Sequence, residues 1–511
     1  MKVALICTLG NRDIQFKKEY KEELKEILKD IIDYESKDSD SVGFTIKRDN
    51  FLKNTKMILD NYEKVKKYFI LPIIDTAINY IQSELNGNLK KIILVPTNQQ
   101  DEKDVKDNHK KSDTFNEAKI IEKLSKEKGF QVEIKEAKFN ASKVENWFNL
   151  FINILNDNYD KFDKLVFSIS PGVPQSREGV RLATLFKDKC EVIEISGGRV
   201  TSDNMKSYEK QIIKEKIKDL IKNYNYTGAL EFNNYLTEEI INTLKYLNYR
   251  LNFNFESANK IANNNKIVKK YNSMLENIKN EKNTIKKLEY LILELLDNME
   301  IELKKEEYTN FLARVYRLEE AVGQYLVLKY LKENDYTIKY KYNKYNKEKS
   351  FKRKSDEIDI ENDVGINKIL SCYFNRILKT CYDDKEIELQ KKLKLIIDKN
   401  NKKYKFTDNL NTNNYKDLIN ILCNKYENEL VESISKIYKK PNNRNLRHTT
   451  IVAHGFRGVS KEDIEDGLNK DINDFFKEEV KNRIYNIIGK DLEENIFNKI
   501  NHEIIDILNK T

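Results

Sequence analysis

A chain of 511 residues is too long for one hydrophobic core, so two or three domains are expected. Apolar residues make up 39% of the chain, which excludes wholesale disorder, and no apolar run approaches the roughly 18 residues of a membrane span. The net charge of +9 comes from 92 basic and 83 acidic residues spread along the chain. This charge is compatible with an anionic partner but does not identify one.

The five cysteines fall at no spacing typical of a metal site or of a disulfide framework. All five, Cys7, Cys190, Cys372, Cys381 and Cys423, are expected to be reduced. Cys7 and Cys190 lie inside predicted strands. The apolar stretch after Lys2 is too short for the core of a signal peptide. Together these features predict a cytoplasmic protein with no membrane partner.

In the amino-terminal third, apolar strands alternate with helical patterns. Strands are predicted over residues 2–9, 91–96, 131–137, 164–169 and 190–195, and helices over residues 114–128, 143–156 and 176–187. Such alternation predicts a parallel sheet that helices cover on both faces.

Polar loops follow three of these strands, and open parallel sheets bind ligands beyond the carboxyl ends of their strands. The loops contain Gly10, Asn11, Arg12 and Asp13, then Thr97, Asn98 and Gln99, then Ser170, Gly172 and Gln175. The last loop opens directly onto a helix, whose unpaired amide groups favour phosphate. No loop carries GxGxxG or GxxxxGK[ST], so the usual nucleotide-binding signatures are absent. Ordinary strand-to-helix turns would explain the same residues.

Helical patterns dominate after residue 195, where the strands are predicted to stop. Residues 205–300 are helical apart from a polar stretch at 252–265 that is expected to form a loop, and residues 398–414 form a second break. Residues 308–326 carry apolar side chains at helical spacing, which predicts an amphipathic helix. The basic and aromatic run at 339–354 is expected to be a solvated hairpin or loop rather than an RNA-binding groove.

The segment LRHTTIVAHG, residues 446–455, holds two of the four histidines beside an arginine. Arg447 and His454 lie seven residues apart, so on a helix their side chains would project from the same face and could bind one phosphate. Histidine exchanges a proton near neutral pH, and arginine is a permanent cation that suits phosphate oxygens. Such a pair could cut RNA without a metal by using the 2′-hydroxyl as nucleophile. A surface helix with cationic side chains is the alternative.

This segment resembles the signature of HEPN ribonucleases, in which an arginine, a polar residue and a short spacer precede a histidine. Arg447, His448 and His454 match these three positions. The stretches CTLGNRDIQF, LVPTNQQ and SISPGVPQSREG resemble a CARF domain, the Rossmann-like sensor of CRISPR-associated proteins. A CARF domain followed by a HEPN domain is the layout of the Csm/Csx ribonucleases of type III CRISPR systems, and this chain resembles that family.

The resemblance implies an α/β Rossmann-like CARF domain over residues 1–204, a helical connector over residues 205–289 and an all-α HEPN domain over residues 290–511. It implies a homodimeric endoribonuclease of antiviral defence that cuts single-stranded RNA without a metal or cofactor and leaves 2′,3′-cyclic phosphate ends. His454 would act as acid or base, Arg447 would stabilise charge on the phosphate, and His448 would orient them. The activator would be a cyclic oligoadenylate of four or six adenosines, bound by the ten loop residues named above.

Two alternatives stay open at this point. Asp356, Glu357 and Asp359, with Lys368 downstream, could hold magnesium in a metal-dependent nuclease. The second alternative is a CARF sensor joined to a helical module that binds nucleic acid or regulates a partner without catalysis.

Overall fold

The computed structural model describes all residues except 29, 35–41, 204, 345–346, 355–364, 400–405, 407–409, 440–445, 447–449, 451–456, 467, 469 and 511. The chain divides into two compact units, Met1–Ile212 and Ile213–Thr511. The finer division into sensor, connector and HEPN domains stays a prediction.

The first unit alternates strands and helices. Its strands are β1 (Lys2–Thr8), β2 (Gln15–Phe16), β3 (Ile32–Asp33), β4 (Phe44–Ile46), β5 (Phe69–Ile70), β6 (Asn88–Val95), β7 (Gln131–Ile134), β8 (Lys164–Ser168), β9 (Cys190–Ser196) and β10 (Arg199–Ser202). Its helices are α1 (Lys21–Leu28), α2 (Phe51–Asp60), α3 (Tyr62–Val65), α4 (Pro72–Asn79), α5 (Asp107–Lys110), α6 (Phe115–Glu127), α7 (Val144–Asn158) and α8 (Pro174–Thr184), and α9 (Lys206–Lys222) runs across the boundary. Short 3₁₀ turns at Lys18–Tyr20 and Lys66–Tyr68 and a π turn at Tyr80–Glu84 complete the unit.

The main sheet has the strand order β7-β6-β1-β8-β9-β10, and only β10 runs antiparallel to its neighbour. The central strand β1 is apolar on both faces: Leu5 packs with the core that includes α2, α4 and α6, and Ile6 packs with α7 and α8. The predicted parallel sheet with two covered faces is therefore confirmed. The chain leaves β1 toward β6 on one side and returns through β8 on the other, so a crevice is expected beyond the carboxyl ends of these strands.

Two features of the first unit were not expected. The short strands β2 to β5 form a separate antiparallel sheet in the order β3-β4-β2-β5. The prediction that strands stop after residue 195 is wrong, because β9 turns through Gly197 and Gly198 into β10. Both glycines have positive φ, +54° and +75°, which suits a two-residue hairpin turn.

The second unit is mainly helical. Its helices are α10 (Tyr226–Leu230), α11 (Glu238–Leu251), α12 (Phe255–Ala262), α13 (Lys266–Lys269), α14 (Ser273–Asn280), α15 (Thr284–Lys304), α16 (Tyr308–Glu333), α17 (Ile366–Lys379), α18 (Asp384–Lys399), α19 (Thr412–Leu422), α20 (Lys425–Lys436), α21 (Lys461–Glu465), α22 (Ile472–Phe475), α23 (Asn482–Ile488) and α24 (Ile496–Lys510). A 3₁₀ turn at Asn233–Tyr235 and a π turn at Phe476–Lys481 join them, and strands β11 (Thr337–Lys344) and β12 (Lys347–Lys354) form an antiparallel hairpin.

The helix predicted at 308–326 is confirmed and continues to Glu333, and the hairpin predicted at 339–354 is also confirmed. The hairpin means that the second unit is not entirely α-helical. The loop predicted at 252–265 is wrong: the side chain of Asn254 accepts a hydrogen bond from the backbone of Ser257 (3.2 Å) and caps α12. Asparagine favours both turns and helix starts, so composition alone could not distinguish a loop from a helix start in this stretch. Within the described chain, no helix combines the length and apolar character needed to cross a membrane.

Candidate functional site

Two of the three predicted ligand loops meet at the end of the central strands. A Cβ atom on Gly10 would lie 1.9 Å from the carbonyl oxygen of Pro171. A Cβ atom on Gly172 would lie 2.5 Å from the hydroxyl oxygen of Thr8. Only glycine fits at these two positions, so the loops after β1 and β8 are held against each other.

A cleft of about 510 Å³ opens beside these loops. Of the predicted contacts, Arg12 and Ser170 line it. The other walls come from the small sheet, from α4, from α8 and from the β9–β10 turn: Gln15, Val42, Ile70, Leu71, Pro72, Ile73, Asp75, Thr76, Asn79, Arg177, Glu194, Ile195, Ser196, Gly197 and Gly198. The cleft therefore lies where an open parallel sheet is expected to bind its ligand.

Arg177 is a lining residue that the sequence prediction missed. Its Nε donates a hydrogen bond to the carbonyl oxygen of Gly172 (3.3 Å), and a terminal nitrogen donates to the carbonyl oxygen of Ser170. Its guanidinium also lies 3.8 Å from the carboxylate of Glu194. An arginine in the first turns of the helix after the loop, in the stretch SREG, was the available signal. Arg12 and Arg177 give this cleft two fixed cations suited to phosphate.

Asp13 supports the first loop from inside. It is fully buried, and its carboxylate accepts a hydrogen bond from the backbone of Gly10 (2.8 Å). Burial raises the pKa of Asp13 from 3.8 to about 8. Burial, and then the nearby Asp13, also raises the pKa of Glu117 well above its ordinary value. Burial thus favours the protonated form of both carboxyl groups, and Asp13 does not line the cleft.

The loop after β6 uses its polar side chains within the protein. Thr97 exchanges hydrogen bonds with Thr114, backbone to hydroxyl in both directions (3.0 and 3.1 Å). Gln99 donates to the carboxylate of Asp113 (3.0 Å), and Asn98 donates to the carboxylate of Glu136 (2.7 Å). None of the three lines the cleft. Their role as activator contacts stays a prediction.

Four further predicted contacts lie in the two loops that meet but do not line the cleft itself. Gly10 and Gly172 are buried at the contact between the loops, whereas Asn11 and Gln175, the latter in the first turn of α8, are both half-buried. Gln175 therefore has a side chain that can reach solvent, whereas the two glycines contribute backbone only.

The candidate catalytic residues Arg447, His448 and His454 lie outside the described residues. Two residues of the same segment are described. The backbone of Leu446 donates a hydrogen bond to the carbonyl oxygen of Tyr438 (3.0 Å). The hydroxyl of Thr450 donates to the carbonyl oxygen of Leu446 (2.7 Å). Both residues are buried, and Leu446 packs in the core of the second unit, which anchors the chain at that point.

A buried carboxylate on α16 organises the neighbourhood of that anchor. Glu319 accepts hydrogen bonds from the hydroxyls of Ser435 (2.7 Å) and Tyr438 (2.7 and 2.8 Å). Lys416 of α19 forms an ion pair with it at 2.8 Å. Burial, and then Glu319, raises the pKa of Tyr438. The network ties α16 and α19 to the chain just after α20.

The alternative metal site also falls mainly outside the described residues. Asp356, Glu357 and Asp359 are not described, and Lys368 lies in α17. The described residues contain no group of three or more His, Cys, Asp and Glu side chains that could hold a metal ion.

No protein-family model matches the sequence, and no curated protein matches it. Among solved structures, the chain matches one described as Enterococcus italicus Csm6 bound to cyclic hexa-2′-fluoro-hexa-dAMP, with a TM-score of 0.55 and 15% sequence identity. The match covers 99% of this chain and all of that chain. This chain has the Csm6 fold. The predicted order of a Rossmann-like CARF domain and a helical HEPN domain is thereby confirmed as a fold.

Proposed function

We propose that this protein is a CARF-HEPN ribonuclease of type III CRISPR defence. Its first unit would bind a cyclic oligoadenylate, and its second unit would cut single-stranded RNA without a metal ion. The observation that carries the proposal is the shared fold over 99% of the chain with Csm6, whose structure holds a cyclic adenylate analogue. The sequence signature at Arg447, His448 and His454 adds the chemistry.

The 510 Å³ cleft is the proposed activator site. Arg12 and Arg177 would pair with the phosphates of the ring, and the loop that begins α8 would offer its backbone amides. The apolar side chains of Ile70, Leu71 and Ile73 could pack against an adenine. A ring of adenosines is symmetric, so a twofold homodimer would present matching clefts to its two halves.

The proposed cleavage needs three roles. A base removes the proton from the RNA 2′-hydroxyl, a cation stabilises the charge that develops on the phosphate, and an acid protonates the leaving 5′-oxygen. His454 takes the acid–base role, Arg447 stabilises charge and His448 orients the pair. A second copy of the chain would supply the second acid–base group. The products would carry 2′,3′-cyclic phosphate and 5′-hydroxyl ends.

A cleavage assay tests this function. Purified full-length protein is incubated with labelled single-stranded RNA or DNA, with rings of four or six adenosines, and with or without a chelator. We expect RNA but not DNA to be cut, with one ring size and with the chelator present. Loss of cleavage on chelation would contradict metal independence, and cleavage of DNA would contradict the 2′-hydroxyl mechanism.

A further inference from the structure

A second cleft, of about 340 Å³, lies between α19 and α20 in the second unit. Ile419 and Val431 are buried apolar residues that line it. Its polar lining comes from one face of each helix and from the residue range just after α20: Lys416, Asn420, Asn428, Glu432, Ser435, Lys436 and Lys439. We call this feature the lysine cleft.

The charges of the lysine cleft are unbalanced. Lys416, Lys436 and Lys439 share it with a single lining carboxylate, Glu432. The ammonium of Lys416 already balances the buried Glu319, at 2.8 Å. Partial desolvation, and then the neighbouring Lys416, lowers the pKa of Lys439. The ammonium groups are crowded beside an apolar surface. The phosphate of a bound nucleotide would relieve their mutual repulsion.

The cleft is connected to the segment that carries the candidate catalytic residues. Tyr438 adjoins Lys439 in sequence, and its hydroxyl accepts a hydrogen bond from Lys416 (3.2 Å). The carbonyl oxygen of the same Tyr438 accepts the backbone hydrogen bond of Leu446 (3.0 Å), and Arg447 is the next residue of the chain. One residue therefore contacts both the cationic lining and the start of the signature.

We propose that the lysine cleft binds the backbone of single-stranded RNA, with phosphates on Lys436 and Lys439. The inference rests on the proposed ribonuclease function and adds the surface that would hold its substrate. Single-stranded binding sites combine cations that follow the phosphates with apolar or aromatic surfaces for bases. The concave shape distinguishes this cleft from a flat charged surface.

The test uses the full chain with His454→Ala, so that RNA stays intact during the measurement. The charge-reversed variant is Lys436→Glu with Lys439→Glu. The matched control is Lys391→Glu with Lys394→Glu, which makes the same change of charge at the same spacing on exposed positions of α18 outside the cleft. Lys416 is kept, because its ion pair with Glu319 supports the fold.

Binding of labelled single-stranded RNA is followed by fluorescence anisotropy over a range of salt concentrations. We expect the cleft variant to bind at least about tenfold more weakly and the control to stay within about twofold. Loss of two phosphate contacts should also reduce the slope of log affinity against log salt by about 1.4. Lys436→Gln with Lys439→Gln should weaken binding by a smaller factor, and unchanged circular dichroism checks folding.

Equal RNA affinity of the cleft variant and its parent would overturn the inference. So would a parent that binds anionic phosphatidylserine vesicles or polyglutamate through these lysines but does not bind RNA. The proposed function is judged separately, by RNA cleavage with His454 intact. A protein that cuts RNA while the cleft variant binds RNA normally would leave that function standing and remove only the lysine cleft.

Discussion

At the scale of single residues, the first unit separates side chains that face the cleft from those that support it. Arg12, Ser170 and Arg177 line the cleft, whereas Asp13 is buried beneath its loop. Thr97 forms hydrogen bonds with Thr114, and Gln99 forms them with Asp113. The sequence places these residues at strand ends, except Arg177 of α8, but contains no local signal for partners that lie 14 to 17 positions away.

Arg177→Ala should weaken binding of the cyclic oligoadenylate by about tenfold or more, because a charge-assisted contact to phosphate is lost. The maximal rate of RNA cleavage at saturating ring should be unchanged. Calorimetry on the full chain gives the affinity, and Arg48→Ala, an exposed arginine outside the cleft, is the control. Equal affinities for Arg177→Ala and the natural protein would remove Arg177 from the site.

His454→Ala should lower RNA cleavage by about a hundredfold or more, because a general acid–base group is removed. Binding of the ring should be unaffected. His502, whose side chain is 74% exposed on α24, provides the control substitution His502→Ala, which should cut RNA normally. Cleavage by His454→Ala at the natural rate would refute the catalytic assignment.

Asp13→Asn should change how stability depends on pH. The pKa of Asp13 is raised to about 8 in the folded protein, so the folded state holds a proton that the unfolded chain has lost. The contribution of Asp13 to the free energy of unfolding is therefore fully present below about pH 4. It falls by about 1.4 kcal/mol per pH unit up to about pH 8. Asparagine keeps the acceptor for Gly10 and does not titrate. Thermal unfolding from pH 4 to 8 should give a flatter curve for Asp13→Asn, and parallel curves would contradict this prediction.

At the scale of elements, the sequence predicted a strand or helix correctly where its hydrophobic pattern was long enough to recognise. The five parallel strands of the main sheet have four to eight residues, and their apolar runs predicted them. Strands β2 to β5 have two or three residues, which is too short for any periodicity, so the small sheet was missed. The start of α12 was also missed, because an asparagine cap looks like a loop when its partner amide is unknown.

The contact between the loops after β1 and β8 can be tested by Gly10→Ala. Its Cβ would lie 1.9 Å from the Pro171 carbonyl oxygen, so the loops must separate. We expect about 1–3 kcal/mol of destabilisation, typical of overpacking, together with weaker ring binding. Thermal unfolding and calorimetry measure both. Gly458→Ala is the control, because its Cβ would meet no atom within 4 Å; equal effects of the two substitutions would disprove the close contact.

At the scale of the whole molecule, the proposed sensor and nuclease functions belong to different units of the chain. The fold class was predictable, because strand–helix alternation followed by helical patterns is visible over hundreds of residues. The lining of the activator cleft was only partly predictable. Its walls come from the small sheet, from α4 and from the β9–β10 turn, and their convergence depends on the tertiary structure.

Cyclic oligoadenylate should activate RNA cleavage from a distance. The proposed ring contacts and the catalytic signature fall in separate units, so the ring does not act by touching the catalytic residues. A ligand shifts an equilibrium only by its differential affinity for the two states, and a shift from about 1% to 99% active needs roughly 5.5 kcal/mol. Cleavage rates with and without ring, together with sedimentation analysis of the oligomeric state, measure this coupling. Equal rates in both conditions would contradict activation while leaving the nuclease assignment intact.

The order of synthesis gives the long-range contacts a further consequence. β1 is made before β8, yet the backbone of Lys2 donates a hydrogen bond to Asp163, 161 residues later, so the main sheet must wait for β8. The second unit waits longer, because Tyr226 is held by Asn501 of α24, 275 residues away. A growing chain can therefore complete its first unit well before α24 can pack onto the second unit. A chain that lacks α24 should therefore keep the fold of the first unit while the second unit stays incomplete.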